Sequence, residues 1–242
     1  MVVEWLLGAS GSIGMREIVA GLIEATDLII TLNPEVVEIT IRSLSITFGA
    51  VVIASAISIP LGSFITFREF RGKKSLINII QTLYAMPTVV VGLIVFLFLS
   101  RQGPLGFLGL LFTAEGMMIG QAILVLPIIT GLTISALSSV DQTIIDTIRS
   151  LGASSTQFLF SVLREARFAI FAAIALAFGR AISEVGAAII IGGNIRGFTR
   201  ILTTAITLET GKGNISLSIA LGIILLLLAL VVNTLMTVVQ QR

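Results

Sequence analysis

The sequence predicts an all-α, polytopic membrane helix bundle with about five transmembrane helices. Of its 242 residues, 56% are hydrophobic and only 12% are charged, and the mean hydropathy is +1.10. Soluble domains carry about 25% charged residues, so this chain lacks the polar side chains that would cover a water-facing surface. Its charged residues are also unevenly spread, leaving four uncharged segments at residues 43–67, 75–100, 116–140 and 213–241.

These segments are long enough to cross a membrane as helices. Each has 25 or more residues, whereas about 20 apolar helical residues cross the hydrocarbon core. A fifth segment, residues 168–192, is equally apolar apart from Arg180 and Glu184. In lipid only helices or a closed barrel satisfy the backbone hydrogen bonds, and these continuous apolar runs lack the alternation of barrel strands. We therefore expect five spanning helices within residues 34–242.

Residues 1–33 differ from the rest and form a separate N-terminal segment. Between residues 15 and 33, three acidic side chains cluster on one helical face and apolar side chains occupy the other. This pattern predicts an amphipathic helix in the membrane interface, ended by the Asn33-Pro34 break. A sixth spanning helix is the alternative, and the sequence assigns no role to residues 1–14.

The basic residues predict the orientation of the chain. Cytoplasmic loops are enriched in Lys and Arg, and the connection after the first span is strongly basic. Five spans then place the N-terminus outside and the C-terminus in the cytoplasm, with the connection at residues 139–167 also cytoplasmic. The basic residues after the first span are Arg68, Arg71, Lys73 and Lys74.

The long connection at residues 139–167 is predicted to form two short helices joined at a glycine corner. Apolar residues up to Leu151 follow helical spacing, and Gly152 stands where a helix would stop, because glycine enters the left-handed conformation cheaply. Ser154 or Ser155 is placed to cap a second short helix. The alternative is a plain amphipathic linker packed on its own bundle.

Composition excludes several classes of function. The chain has no His and no Cys, which removes thiolate nucleophiles, histidine-based catalysis and most transition-metal sites. A net charge of +2 gives no indication of nucleic-acid binding. Neither Gly72-Lys73 nor Gly211-Lys212 lies in a phosphate-binding loop pattern. We expect no catalytic residue and no metal site, although a membrane-embedded enzyme or a passive channel is a competing class.

Three stretches resemble the permease subunits of ATP-binding-cassette importers. Residues 146–154 are similar to the EAA loop of that family, with Asp146 at the place of its Glu and Gly152 at the place of its Gly. Residues 85–92 and 178–187 resemble segments of molybdate and tungstate permeases. The resemblance runs from Pro34 to the C-terminus and is strongest to the tungstate type.

This resemblance implies an oxyanion importer in the prokaryotic plasma membrane, for tungstate first and for molybdate or sulfate as alternatives. It implies a homodimer of this chain in the lipid bilayer, two ATPase subunits that bind ATP and Mg²⁺, and an extracytoplasmic oxyanion-binding protein. The loop at residues 139–167 would then couple to the ATPase. Its candidate coupling residues are Asp146, Arg149, Gly152, Ala153, Ser154, Ser155 and Phe158.

A second group of candidates lies in and after the fourth span. Arg180 and Glu184 are four residues apart and share a helix face, and charges at this depth are costly and usually functional. They either brace the structure as a pair, or Arg180 attracts the oxyanion while Glu184 tunes it. Ser183 and Asn194 are possible donors to its oxygens, and Gly186 allows close helix packing or a gate.

Overall fold

A computed structural model describes residues 13–240, which form eleven α-helices and no strand. Two short 3₁₀ turns, Leu83–Ala85 and Gly106–Leu108, lie between helices. The helices are α1 (Ile13–Ile30), α2 (Pro34–Phe67), α3 (Lys73–Thr82), α4 (Thr88–Leu99), α5 (Ala114–Ser138), α6 (Gln142–Ser150), α7 (Ser155–Glu165), α8 (Arg167–Ile182), α9 (Gly186–Gly192), α10 (Leu202–Gly211) and α11 (Ile215–Gln240).

Three of these helices are long and apolar enough to cross a membrane: α2, α5 and the part of α11 from Ile215 to Thr234. The second and fourth predicted spans are broken. The helical axis bends by 99° between α3 and α4 and by 62° between α8 and α9. The prediction of five spans therefore holds in the described residues if each bent pair crosses as one span.

The first break follows from a proline. Pro87 has no backbone N–H and restricts the residue before it to an extended conformation, and Met86 has φ −61° and ψ 130°. The helix therefore cannot continue through Met86 and restarts at Thr88. The second break, at residues 183–185, contains no proline and depends on the contacts described below.

The centre of the bundle is the packing of α2 against α5. Ala50 and Ala54 of α2 are fully buried in one apolar cluster with Val125 and Ile129 of α5. Small side chains allow the two backbones to approach, as is usual between membrane helices. Further towards the end of α2, the hydroxyl of Ser58 donates to the backbone carbonyl of Leu126 at 3.0 Å.

The predicted N-terminal helix is present as α1 and lies against α11. A Cβ atom on Gly21 would lie 2.5 Å from Cγ2 of Ile219, so the two helices approach closely. The next helix begins where the sequence indicated, since the side chain of Asn33 accepts hydrogen bonds from the first backbone N–H groups of α2. Residues 1–12 of the predicted N-terminal segment lie outside the described part of the chain.

A close contact between the two broken spans generates a prediction. A Cβ atom on Gly92 of α4 would lie 2.7 Å from the Cα of Ala187 in α9. Gly92→Ala should therefore lower the thermal unfolding temperature in detergent, because overpacking costs about 1–3 kcal/mol and exceeds the helix-propensity gain of up to about 1 kcal/mol.

The matched control is Gly222→Ala, since within the described part of the chain no heavy atom beyond the local helix backbone lies within 4 Å of the corresponding Cβ position in α11. That variant should unfold at the wild-type temperature or slightly above it. Equal unfolding temperatures for the two variants would contradict the close packing of α4 on α9.

Candidate functional site

The connection after α5 has the predicted shape, two short helices joined at a glycine corner. We call residues 141–165 the elbow. Gly152 has φ +77°, a conformation that favours glycine. Asp141 caps α6, and the backbone N–H of Thr143 that donates to its carboxylate holds the pKa of Asp141 below its ordinary value. Ser154 caps α7 in a reciprocal arrangement with Gln157.

One face of the elbow is anchored to the membrane helices. Val162 is fully buried in a cluster with Leu137 and Ile170. The ring of Phe158 meets the ring of Phe67 edge to face, with centroids 5.2 Å apart. The guanidinium of Arg149 lies over the same Phe158 ring, 5.2 Å from its centroid. These contacts therefore pack the elbow against the end of α2 and fix its position relative to the membrane helices.

The opposite face of the elbow is open. Gly152, Ser154 and Ser155 are exposed, and Ala153 is half-buried. Asp146 is also exposed, with one carboxylate oxygen 4.0 Å from Nη1 of Arg149. Leu151 follows the helical apolar spacing in sequence, yet it lies just past the end of α6 and is 81% exposed. The elbow thus presents an apolar tip surrounded by polar groups.

Glu184 organises the break between α8 and α9. Its side chain is only 2% exposed, and its oxygen Oε2 accepts a hydrogen bond from Nη1 of Arg180 at 2.9 Å. The other oxygen, Oε1, accepts from the backbone N–H of Ala187 at 3.0 Å and so caps α9. The hydroxyl of Thr203 donates to the backbone carbonyl of Glu184 at 2.8 Å. Both carboxylate oxygens are therefore occupied within the chain.

The two helix breaks lie next to each other. A Cβ atom on Gly186 would lie 2.9 Å from Cγ2 of Val89 and 3.2 Å from Oγ1 of Thr88 at the start of α4. Arg180 lines a small cavity together with Tyr84 and Met86, which precede the first break. That cavity has a volume of about 10 Å³, room for a single water molecule at most.

The predicted pathway residues are only partly brought together. Arg180, Glu184 and Gly186 meet at the breaks. Ser183 is exposed beside them, and its hydroxyl donates to the carbonyl of Gly179 at 3.0 Å. Asn194 lies beyond the far end of α9, where its side-chain amide donates to the carbonyl of Thr204 at 3.2 Å. Since seven-residue α9 spans about 10 Å, Asn194 is separated from Arg180.

A charged cluster that the sequence analysis missed holds the turn-rich connection between α9 and α10, residues 193–201, which we call the hairpin. Arg42 of α2 donates to the backbone carbonyls of Gly197 at 2.8 Å and Arg200 at 3.2 Å. Two arginines of the same hairpin form ion pairs with Glu35. Its Oε2 lies 2.6 Å from Nη2 of Arg196, and its Oε1 lies 3.6 Å from Nη1 of Arg200. The sequence feature that could have indicated this cluster is Arg42, because it directly precedes an uncharged run.

Comparison with known proteins agrees with this architecture. Residues 58–242 match the family model described as "Binding-protein-dependent transport system inner membrane component". The chain is 48% identical over 204 residues to a "Probable anion ABC transporter permease protein" of Haloferax volcanii, covering 82% of this chain and 88% of that protein. It is 39% identical over 228 residues to the "Tungstate uptake system permease protein TupB" of Peptoclostridium acidaminophilum, covering 94% and 100%.

The fold is also found in a solved structure. The crystal structure of a bacterial alginate ABC transporter in complex with an alginate-bound periplasmic protein contains a chain that matches with a TM-score of 0.69. The match is 19% identical in sequence and covers 87% of this chain and 80% of that chain. The family match covers most of the chain and the membrane helices agree with it. This multi-pass membrane protein therefore belongs to the family of binding-protein-dependent transport system inner membrane components, the permease subunits of ATP-binding-cassette importers.

Proposed function

We propose that this chain is the permease subunit of an importer that moves tungstate into the cytoplasm. The observation that carries the proposal is the 39% identity to a tungstate uptake permease across 94% of the chain. The similarity to a relative that is named for anion transport also supports a negatively charged substrate. Molybdate and sulfate are the alternative substrates, because both are tetrahedral dianions of similar shape.

The working assembly that we propose contains two copies of this chain, two ATPase subunits and an extracytoplasmic oxyanion-binding protein. ATP and Mg²⁺ bind to the ATPase subunits, since this sequence has no phosphate-binding loop of its own. In this arrangement the elbow and the C-terminus face the cytoplasm, and the start of α2 faces outside. The basic residues after α2 favour this orientation.

The elbow is suited to transmit force from an ATPase. Its exposed tip, with Leu151 and the Gly152 corner, would sit in a groove of the partner. Its anchored face, through Phe158 and Val162, contacts Phe67 of α2 and Ile170 of α8. Movement of the ATPase pair would therefore displace α2 and α8 as rigid elements, as expected for alternating access.

The breaks in the two bent spans are the proposed gate of the pathway. Half-helices that end near the membrane midplane line substrate sites in other transporters. Glu184 is occupied by internal hydrogen bonds and acts as a brace. Arg180 is 38% exposed and Ser183 is exposed beside it, so these two side chains can face a passing anion. The ion pair limits how strongly Arg180 holds a dianion, which allows release.

The substrate can be tested by transport in vesicles that contain this chain, its ATPase and its binding protein. We expect tungstate uptake that requires ATP and the binding protein. A hundredfold excess of molybdate or sulfate should compete less well than unlabelled tungstate does. Uptake of sulfate in preference to tungstate, or uptake without ATP, would overturn the proposal.

The role of the elbow is tested by Gly152→Pro. Proline cannot adopt φ +77°, and it removes the N–H that donates to the carbonyl of Arg149 at 3.0 Å. We expect normal membrane insertion but at least a tenfold loss of ATP-driven uptake, which corresponds to about 1.4 kcal/mol of coupling.

The matched control is Gly72→Pro, because Gly72 has φ +89° and, like Gly152, has no heavy atom of the described residues except its chain neighbours within 4 Å of a Cβ position. It lies in a different connection, between α2 and α3. Equal losses of uptake in the two variants would show that backbone strain, not the elbow, determines the result.

The bracing role of Glu184 is tested by Glu184→Gln. Glutamine can still accept a hydrogen bond from Ala187, but it removes the charge that pairs with Arg180. We expect a lower thermal unfolding temperature, equivalent to about 1–2 kcal/mol, together with reduced uptake. Glu209→Gln is the control, since Glu209 pairs with the half-exposed Lys212 at 2.7 Å. A loss of stability in the control as large as that in Glu184→Gln would argue against the brace.

A further inference from the structure

We propose that Arg196 and Arg200 form an oxyanion-binding site at the outer mouth of the permease, and that the carboxylate of Glu35 occupies this site when no substrate is present. This inference rests on the proposed function, because it takes the substrate class and the orientation of the chain from it. The site differs from the helix breaks at Arg180, which lie at the other end of α9.

The position of the cluster places it on the side opposite the elbow. Glu35 is the second residue of α2, and Phe67, the last residue of that helix, contacts the elbow. A 34-residue helix spans about 50 Å. With the elbow in the cytoplasm, Glu35 and the hairpin therefore lie where an anion would first meet the permease.

The contacts of Glu35 have the form of a bound anion. Its two carboxylate oxygens face two different guanidinium groups, Oε2 at 2.6 Å from Arg196 and Oε1 at 3.6 Å from Arg200. Arginine is the side chain best suited to planar, two-point recognition of oxyanions. A tetrahedral oxyanion offers the same pair of oxygens and two negative charges instead of one, so it can compete with Glu35.

Arg200 has hydrogen-bonding capacity that Glu35 does not use. The distance of 3.6 Å exceeds that of a normal hydrogen bond. The Nε atom of Arg200 is buried and has no hydrogen-bond partner among residues 13–240, and the side chain as a whole is only 15% exposed. An unpaired buried donor is unfavourable, and an anion seated between the two arginines can relieve it.

There is room for the anion next to these groups. An open cavity of about 330 Å³ is lined by Glu35, Glu38, Arg42, Arg196 and Arg200, with neighbouring backbone. Liquid water occupies about 30 Å³ per molecule, and an anion with four oxygens needs the space of a few waters. The cavity can accept the anion while the Glu35 side chain moves aside.

The hairpin does not depend on Glu35 for its position. Arg42 binds the backbone carbonyls of Gly197 and Arg200, and the backbone N–H of Leu202 donates to the buried hydroxyl of Ser43 at 2.9 Å. These contacts remain when the Glu35 carboxylate leaves. Loss of Glu35 should therefore free the arginines without unfolding the segment that carries them.

The test is a calorimetric titration of sodium tungstate into the complete permease–ATPase assembly in nanodiscs, without the binding protein. Glu35→Gln removes the internal competitor and should tighten tungstate binding by about three- to fivefold, the range expected for an exposed ion pair. Arg196→Gln should weaken binding by at least about threefold on the same grounds. A merely structural role for Glu35 predicts no tightening.

Two matched variants separate this site from general electrostatics. Glu69→Gln removes the same charge from another exposed ion pair, the one with Lys73, which lies just beyond the opposite end of α2 from Glu35. Arg101→Gln removes a positive charge from the exposed turn after α4. Both should leave tungstate binding within about twofold of wild type, since exposed charges are largely screened beyond about 10 Å.

Unchanged or weaker binding in Glu35→Gln, or equal tightening in Glu69→Gln, would overturn the inference. If Glu35→Gln fails to fold, the test rests on Arg196→Gln, because the Arg196 side chain is largely exposed. Unchanged tungstate binding in that variant would overturn the inference. Wild-type uptake in vesicles separates the two proposals. Absence of ATP-driven tungstate uptake refutes the proposed function, whereas normal uptake with no effect of Glu35→Gln refutes only this site.

Discussion

The architecture depends on how a membrane protein satisfies the backbone groups of a broken helix. In lipid an unpaired N–H or C=O costs several kcal/mol, so the break between α8 and α9 is possible only if other groups replace the lost helical bonds. Glu184 takes part in two of these replacements. Its carboxylate caps α9 at Ala187 and binds Arg180, and its carbonyl receives the hydroxyl of Thr203. Glu184, through its side chain and its backbone carbonyl, thereby joins α8, α9 and α10.

The long helix α2 connects the other two functional regions. At its end, Phe67 contacts the elbow that we assign to the ATPase. At its start, Arg42 and Ser43 hold the hairpin and the beginning of α10. Because α10 also binds Glu184 through Thr203, the elbow, the helix breaks and the hairpin belong to one continuous set of packed elements. Such continuity offers a physical route for the coupling that we propose between an ATPase and the gate.

Local patterns predicted several features that the structure confirms. The glycine corner and the Ser154 cap of the elbow follow from backbone preferences that act within a few residues. The break between α1 and α2 at Asn33-Pro34 follows from the backbone restriction that a proline places on the residue before it. The pairing of Arg180 with Glu184 follows from a spacing of four residues on one helix. In each case the interacting groups are neighbours in the chain, so the sequence contains the information.

By itself the sequence determined that the chain is a helical membrane bundle, because uncharged runs of 25 or more residues place it in a membrane and their lack of strand alternation leaves helices to satisfy the backbone. Only the tertiary structure decided the 99° and 62° bends and the placement of Asn194 away from Arg180. It alone also placed Glu35 against two arginines about 160 residues further along the chain. Those arrangements arise from contacts between segments distant in sequence, and no periodicity or local propensity encodes which distant partner a side chain meets.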